Sequence, residues 1–176
     1  MAGRVAGKKA FISGAAQGLG AAMARRLAAE GAKVSLGDLN HAGVQAVAAE
    51  INTEHGDGTA FAFPLDVTKE DQWIFALEEA DEAMGGISVL INNAGLGVAG
   101  GLEEMAYETW RRVIEVNLDS VFLGSKHALR YMRQNQPGSI INISSLSGII
   151  PSATTGPYTA AKAGVWMYSK SVALYC

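Results

Sequence analysis

The chain has a single cysteine in 176 residues, Cys176, which excludes a disulfide framework and any Cys/His spacing for zinc. A reducing, cytoplasmic setting is the default for such a composition. Positive charge is not in excess: 14 Lys and Arg stand against 17 Asp and Glu, for a formal net charge of −3. With no basic cluster, nucleic acid is not an expected partner. No apolar stretch approaches the roughly 20 residues of a membrane span, so no membrane partner is expected either. Arg4, Lys8 and Lys9 lead into a strand pattern and a glycine turn, not an uninterrupted apolar segment. Histidine is scarce, and His41, His55 and His127 show no metal spacing; no metal is expected.

What the chain does have is 49% hydrophobic residues, enough at this length for one globular domain over residues 1–176. Residues 9–13 read as a short buried strand that runs into Gly14-Ala15-Ala16-Gln17-Gly18-Leu19-Gly20. Glycines there permit a tight turn and close approach to a pyrophosphate, and the free N–H groups of the next helix attract the anion. Leu19, Ala22, Met23 and Leu27 recur at helical spacing, and Gly31 supplies a stop. A second strand, residues 33–37, ends at Asp38, eighteen residues beyond Gly20. A nucleotide-binding βαβ unit places there the acid that bonds the adenosine ribose hydroxyls.

The alternation continues. Val44, Val47, Ala48 and Ile51 mark a second helix, and residues 59–63 a third strand ending near Asp66. Thr68 to Asp71 resembles a capping box, opening a helix whose apolar face includes Trp73, Leu77 and Met84. Residues 87–91 and 138–143 read as strands buried on both faces, and residues 107–133 as one long helix. This order predicts an α/β fold, a doubly wound, Rossmann-like parallel sheet with helices on both faces. Ligands then sit outside the carboxyl ends of the strands, where Ser13, Asp38, Asp66, Asn92, Ser144 and Ser145 fall.

The most telling spacing is Tyr158-Thr159-Ala160-Ala161-Lys162, with Ser145 thirteen residues before the tyrosine. On a helix beginning near Pro157, positions i and i+4 share one face, so phenol and ammonium point into one space. A nearby cation favours phenolate over phenol, as a general acid/base requires. Alone, that spacing is common on solvated helix faces; the nucleotide-binding features upstream are its support.

Gly14, Gly18 and Gly20 form G-x-x-x-G-x-G. With Asn92-Asn93-Ala94-Gly95, Asn117, Ser145, Tyr158 and Lys162, the chain from about Lys8 onward resembles a short-chain dehydrogenase/reductase of the ordinary, non-extended type. The resemblance implies a cofactor site of Gly14, Gln17, Gly18, Leu19, Gly20, Asp38, Asp66, Val67, Asn93, Ala94, Gly95, Tyr158 and Lys162. Asp66 and Val67 would bind adenine, although an acid before a turn is often only turn chemistry. Asn93-Ala94-Gly95 would border the nicotinamide ribose. The implied catalytic set is Asn117, Ser145, Tyr158 and Lys162, with Asn117 anchoring a water in a relay to Lys162. The offset to Tyr158 selects Ser145 over Ser144.

An NAD-dependent oxidoreductase acting on a secondary alcohol or ketone, steroid-like or otherwise bulky, is the implied activity. Asp38 would accept bonds from a 2′-hydroxyl and repel a 2′-phosphate, favouring NAD over NADP. The rival reading is a non-catalytic dinucleotide-binding fragment that serves as an interaction or regulatory module. Its motive is the chain end, where an apolar helix containing Val165, Trp166, Met167, Val172, Ala173 and Leu174 stops at Cys176 without a glycine, proline or basic last turn. The expectation is a chain lacking its family's last strands, with an open edge on the fifth strand and an uncovered side on the last helix. A homodimer or homotetramer is expected through the helix around Leu118 to Tyr131 and the helix after Tyr158, with Phe122, Val165, Trp166 and Tyr168 as apolar surface.

Overall fold

The computed structural model describes residues 3–176. Five parallel strands form one sheet in the order β3-β2-β1-β4-β5: β1 Lys9–Ser13, β2 Lys33–Asp38, β3 Ala60–Pro64, β4 Val89–Asn92 and β5 Ser139–Asn142. Six α-helices accompany them: α1 Gly18–Ala29, α2 His41–His55, α3 Glu70–Met84, α4 Tyr107–Ile114, α5 Ser120–Met132 and α6 Gly156–Tyr175. Because side chains alternate along a strand, β1 feeds two cores. Ala10 and Ile12 pack with Val34, Leu36, Val44 and Ile51 beneath α1 and α2. Phe11 packs on the other face with Trp73, Leu77 and Leu90 beneath α3 and α5. The Trp73 ring lies 5.9 Å from that of Phe11, and its indole N–H donates to the carbonyl of Val67 at 2.9 Å. Strand order reverses between β1 and β4, which opens a crevice at their carboxyl ends.

Some local expectations need correction. Helix α1 forms, but its buried face is Gly20, Ala21, Ala24 and Ala28, whereas Leu19 is 69% exposed and Ala22 also faces out. Met23 and Leu27 are half-buried and pack against the core beside them, so two of the four residues at helical spacing lie on the packed side, and small side chains let the helix approach the glycine turn. Thr68 does not cap α3; the helix starts at Glu70 after Lys69, which makes no side-chain cap bond. The Thr68 hydroxyl donates instead to Asp66 Oδ1 at 2.7 Å, and Gln72 reaches back to accept from the Asp66 N–H at 2.6 Å.

Residues 107–133 are not one α-helix, since a π-helical turn, Glu115–Asp119, separates α4 from α5. Strand β5 is not buried on both faces: it is the sheet's edge, with Ile141 42% exposed. The opposite edge, β3, ends in Pro64, tolerated where no N–H is needed for a further strand. On α6, Val165 is fully buried and offers no apolar surface, contrary to expectation. Trp166, Met167, Leu174 and Tyr175 of α6, with Phe122 of α5, are exposed. Among the described residues no helix is long and apolar enough to cross a membrane.

Candidate active site

At the crevice, β1 turns sharply through Gly14, whose φ of +68° suits glycine. A side chain there would meet Ala94 Cα at 2.7 Å. The turn is locked to the loop after β4: Ser13 Oγ accepts from the N–H groups of Asn93 and Ala94 at 3.1 and 3.2 Å. Asn93 Nδ2 returns bonds to the carbonyls of Ser13 and Gly14 at 3.0 and 2.9 Å. Asp38, at the end of β2, accepts from Ala16 N at 3.0 Å through Oδ2 and from Asn40 N at 2.9 Å through Oδ1. Each oxygen keeps a lone pair for another donor.

A cleft of about 390 Å³ results. Of the residues expected at a cofactor, Gly14, Gln17, Asp38, Asp66, Val67, Asn93, Ala94 and Gly95 line it. Gly18, Leu19 and Gly20 form the first turn of α1 outside this lining, and Tyr158 and Lys162 on α6 also lie outside it. Leu39, Leu65, Leu96, Arg112 and Val116 complete the wall and belong to no motif; their available signal was position, after strand ends or one turn apart on the helix that precedes Asn117. The glycine turn and the acid after β2 on one cleft suit a dinucleotide, whose pyrophosphate would meet the Gly14 turn and whose ribose would meet Asp38.

The Asp66 carboxyl is pushed up by burial, but the hydroxyl and N–H of Thr68, with the charges of Arg112 and Lys69, outweigh this and hold it below the ordinary carboxylate value.

Gly95 links the cleft to a second group of side chains. A Cβ there would stand 3.0 Å from Asn117 Oδ1 and 3.7 Å from Lys162 Nζ. Asn117 is buried in the π-helical turn, a device that often marks function. Its Nδ2 donates to Leu96 O at 2.8 Å and Val113 O at 2.9 Å, while Oδ1 accepts from Leu96 N at 3.2 Å. Both amide hydrogens are thus spent on the protein, leaving one lone pair of Oδ1.

Lys162 is 3% exposed, donates to Ile143 O at 2.8 Å and lies with Nζ 5.6 Å from the centre of the Tyr158 ring. Burial pushes its ammonium below the ordinary lysine value. Two N–H groups remain for a ligand. Tyr158 and Lys162 therefore share a helix face, as their spacing requires.

The two serines separate cleanly. Ser144 Oγ donates to the Lys162 carbonyl at 2.9 Å and so ties β5 to α6. Ser145 caps a 3₁₀ turn, Leu146–Gly148, accepting from Ser147 N at 3.1 Å, so its hydroxyl hydrogen stays available. The turn rests on α6 because Gly148 has no side chain; a Cβ would be 2.8 Å from the Lys162 backbone. The loop after β4 joins this neighbourhood through Gly100 N, which donates to Thr154 O at 2.8 Å.

Residues 8–175 match the sequence pattern of the short chain dehydrogenase family. The chain belongs to that family. It is 48% identical over 174 residues to the 2,5-dichloro-2,5-cyclohexadiene-1,4-diol dehydrogenase LinX of Sphingobium indicum, covering 99% of this chain and 69% of LinX. It is 43% identical to a 3-alpha-(or 20-beta)-hydroxysteroid dehydrogenase of Mycobacterium tuberculosis, covering 99% of this chain and 65% of that protein. The crystal structure of sorbitol-6-phosphate 2-dehydrogenase SrlD from Erwinia amylovora superposes with a TM-score of 0.91 at 32% identity, over 94% of this chain and 65% of that one. The chain thus spans about two thirds of the length of these relatives. As a short chain dehydrogenase it falls among oxidoreductases that work with a nicotinamide cofactor.

Proposed function

We propose that this short chain dehydrogenase is an NAD-linked enzyme for a secondary alcohol or its ketone, with Tyr158 as the general acid/base. The observation that carries this reading is the placement of Lys162: a buried ammonium 5.6 Å from the Tyr158 ring centre and beside Gly95 of the cleft. Burying a charge so completely is costly without a purpose or a partner, and its single carbonyl partner leaves two donors for a cofactor ribose and for the phenolic region. The nicotinamide supplies hydride acceptance or donation when bound. Ser145 donates its spare hydrogen to the substrate oxygen, Tyr158 exchanges a proton with that oxygen, and the Lys162 cation stabilises negative charge developing on the phenol.

Asp38 supports NAD over NADP. Two of the roughly four lone-pair sites on its carboxylate are used by Ala16 and Asn40, and the rest suit ribose hydroxyls and repel a 2′-phosphate. On the substrate side Leu146, Ile149 and Ile150 are exposed near the 3₁₀ turn, a wall for an apolar ring. The names of the relatives, a cyclohexadienediol dehydrogenase and a hydroxysteroid dehydrogenase, favour an alcohol carried on a ring. Self-association is expected across the groove of Phe122, Leu129, Tyr168, Val172 and Tyr175 on α5 and α6.

The test is NAD reduction with a panel of cyclic secondary alcohols, compared between the protein and its Tyr158→Phe variant. General acid/base catalysis by the phenol calls for a loss of about 10²–10⁴-fold in kcat with ADP-ribose binding retained. Equal rates in the two proteins would remove Tyr158 from the chemistry, and a protein that binds ADP-ribose without turning over any alcohol would leave only a binding module.

A further inference from the structure

Arg112 is a cation on the cleft wall that no sequence motif accounts for. It lies on α4 one helical turn before Val116, and residues four apart share a helix face. Val116 is anchored in the core cluster with Leu65 and Val67, so the same face carries Arg112 to the mouth of the cleft above those residues. Its neighbour Arg111 pairs with Glu115 and Asp119 at 3.7 and 4.0 Å. The Arg112 side chain, by contrast, makes no salt bridge or hydrogen bond among the described residues. The cleft lining also includes the apolar Leu39, Leu65 and Val67 and the acids Asp38 and Asp66. Apolar faces and polar rims fit a flat heteroaromatic base, and a planar guanidinium is the side chain that adds both stacking and charge to its π face.

We propose that Arg112 is a cofactor-binding residue whose guanidinium lies against the adenine base, closing the cleft opposite the strand ends of β2 and β3. The proposal rests on the dinucleotide reading of the cleft and adds to it a base contact supplied by α4. Asp66 lines the same cleft, and its carboxylate feels the Arg112 charge. Arginine is required here because lysine offers a point charge and no plane.

Calorimetric titration of the purified chain with ADP-ribose, 2′-phospho-ADP-ribose and nicotinamide mononucleotide tests this in the Arg112→Ala and Arg112→Lys variants. Arg112→Ala is expected to weaken both adenine ligands by about tenfold, the scale of a partly desolvated cation–π contact. Nicotinamide mononucleotide affinity and the thermal midpoint should not change. Arg112→Lys is expected to recover less than half of the loss on a logarithmic scale. Unchanged ADP-ribose affinity in Arg112→Ala, while the wild type binds, overturns the adenine contact and leaves the cleft assignment standing. Loss confined to the 2′-phosphorylated ligand would make Arg112 a phosphate reader, and full rescue by lysine would reduce it to a point charge; either result overturns the proposal. If the wild type fails to bind ADP-ribose, the dinucleotide reading falls and this inference falls with it.

Discussion

Asn117 and Lys162, from two different helical segments, converge on one glycine: a methyl group on Gly95 would stand 3.0 Å from Asn117 Oδ1 and 3.7 Å from Lys162 Nζ. The space above Gly95 is thus the passage between the cleft and the buried ammonium. Gly95→Ala should fold with a stability loss of about 1 kcal/mol or less, because the residue is exposed. Its kcat should fall by about a hundredfold, the scale of a small misplacement at a reacting centre. Thermal melts and turnover measured together check this, and parallel losses in both would make Gly95 a packing residue only.

Ser144 and Ser145 are neighbours with separate tasks. Ser144→Ala removes the hydroxyl bond to the Lys162 carbonyl and should cost about 1 kcal/mol of stability with activity nearly kept. Ser145→Ala should leave the melting midpoint close to wild type and lower kcat about 10²–10³-fold, as for loss of one donor to a developing oxyanion. Exchanged phenotypes would mean that the serine selected by the offset to Tyr158 is the wrong one.

Asp38 sets the cofactor preference. Asp38→Ala combined with Leu39→Arg removes the carboxylate and places a cation beside the same strand end, and should move the preference from NAD toward NADP. The ratio of kcat/KM for the two cofactors is the readout. An unchanged ratio would dissociate Asp38 from the ribose.

Glu30 governs acid stability at the far end of α1. Hydrogen bonds from the Arg4 side chain and backbone, with smaller help from the Arg26 charge, outweigh burial and lower its carboxyl from 4.5 to about 2. Between those values the unfolded chain binds more protons than the folded one. The contribution is therefore complete above pH 4.5 and fades as the pH falls toward 2. Wild type should melt above Glu30→Gln at pH 6, with the gap closing through this window. A gap independent of pH would show that charge is not the source.

Sequence and structure agree best where the signal is local. The strand, glycine turn, helix and acid from Lys9 to Asp38 form one contiguous unit in which each residue's role depends on near neighbours, and Tyr158 and Lys162 face together because helical spacing dictates it. The π-helical turn at Asn117 is not legible in the sequence, since the residue types of so short a segment do not distinguish i→i+5 from i→i+4 bonding. On α1 the spacing finds Met23 and Leu27, which pack against the core, but not the small buried residues Gly20, Ala21, Ala24 and Ala28, because closeness to a glycine turn selects smallness, which hydrophobicity does not measure. Val165 is expected at the surface with Trp166, yet Val165 is buried while Trp166 and Met167 face out; the long-range packing of α6 decides that phase. Arg112 reaches the cleft through the placement of α4 across the ends of strands far away in sequence, and no local pattern encodes it.

The bond from the Trp73 indole to the Val67 carbonyl gives the protein an intrinsic optical gauge. Trp110 and Trp166 are open to an aqueous quencher such as acrylamide, whereas Trp73 is sealed, so the emission that survives quenching comes from a single ring. That ring grips the backbone of a cleft-lining residue, and its wavelength will register the arrival of a guest without any label.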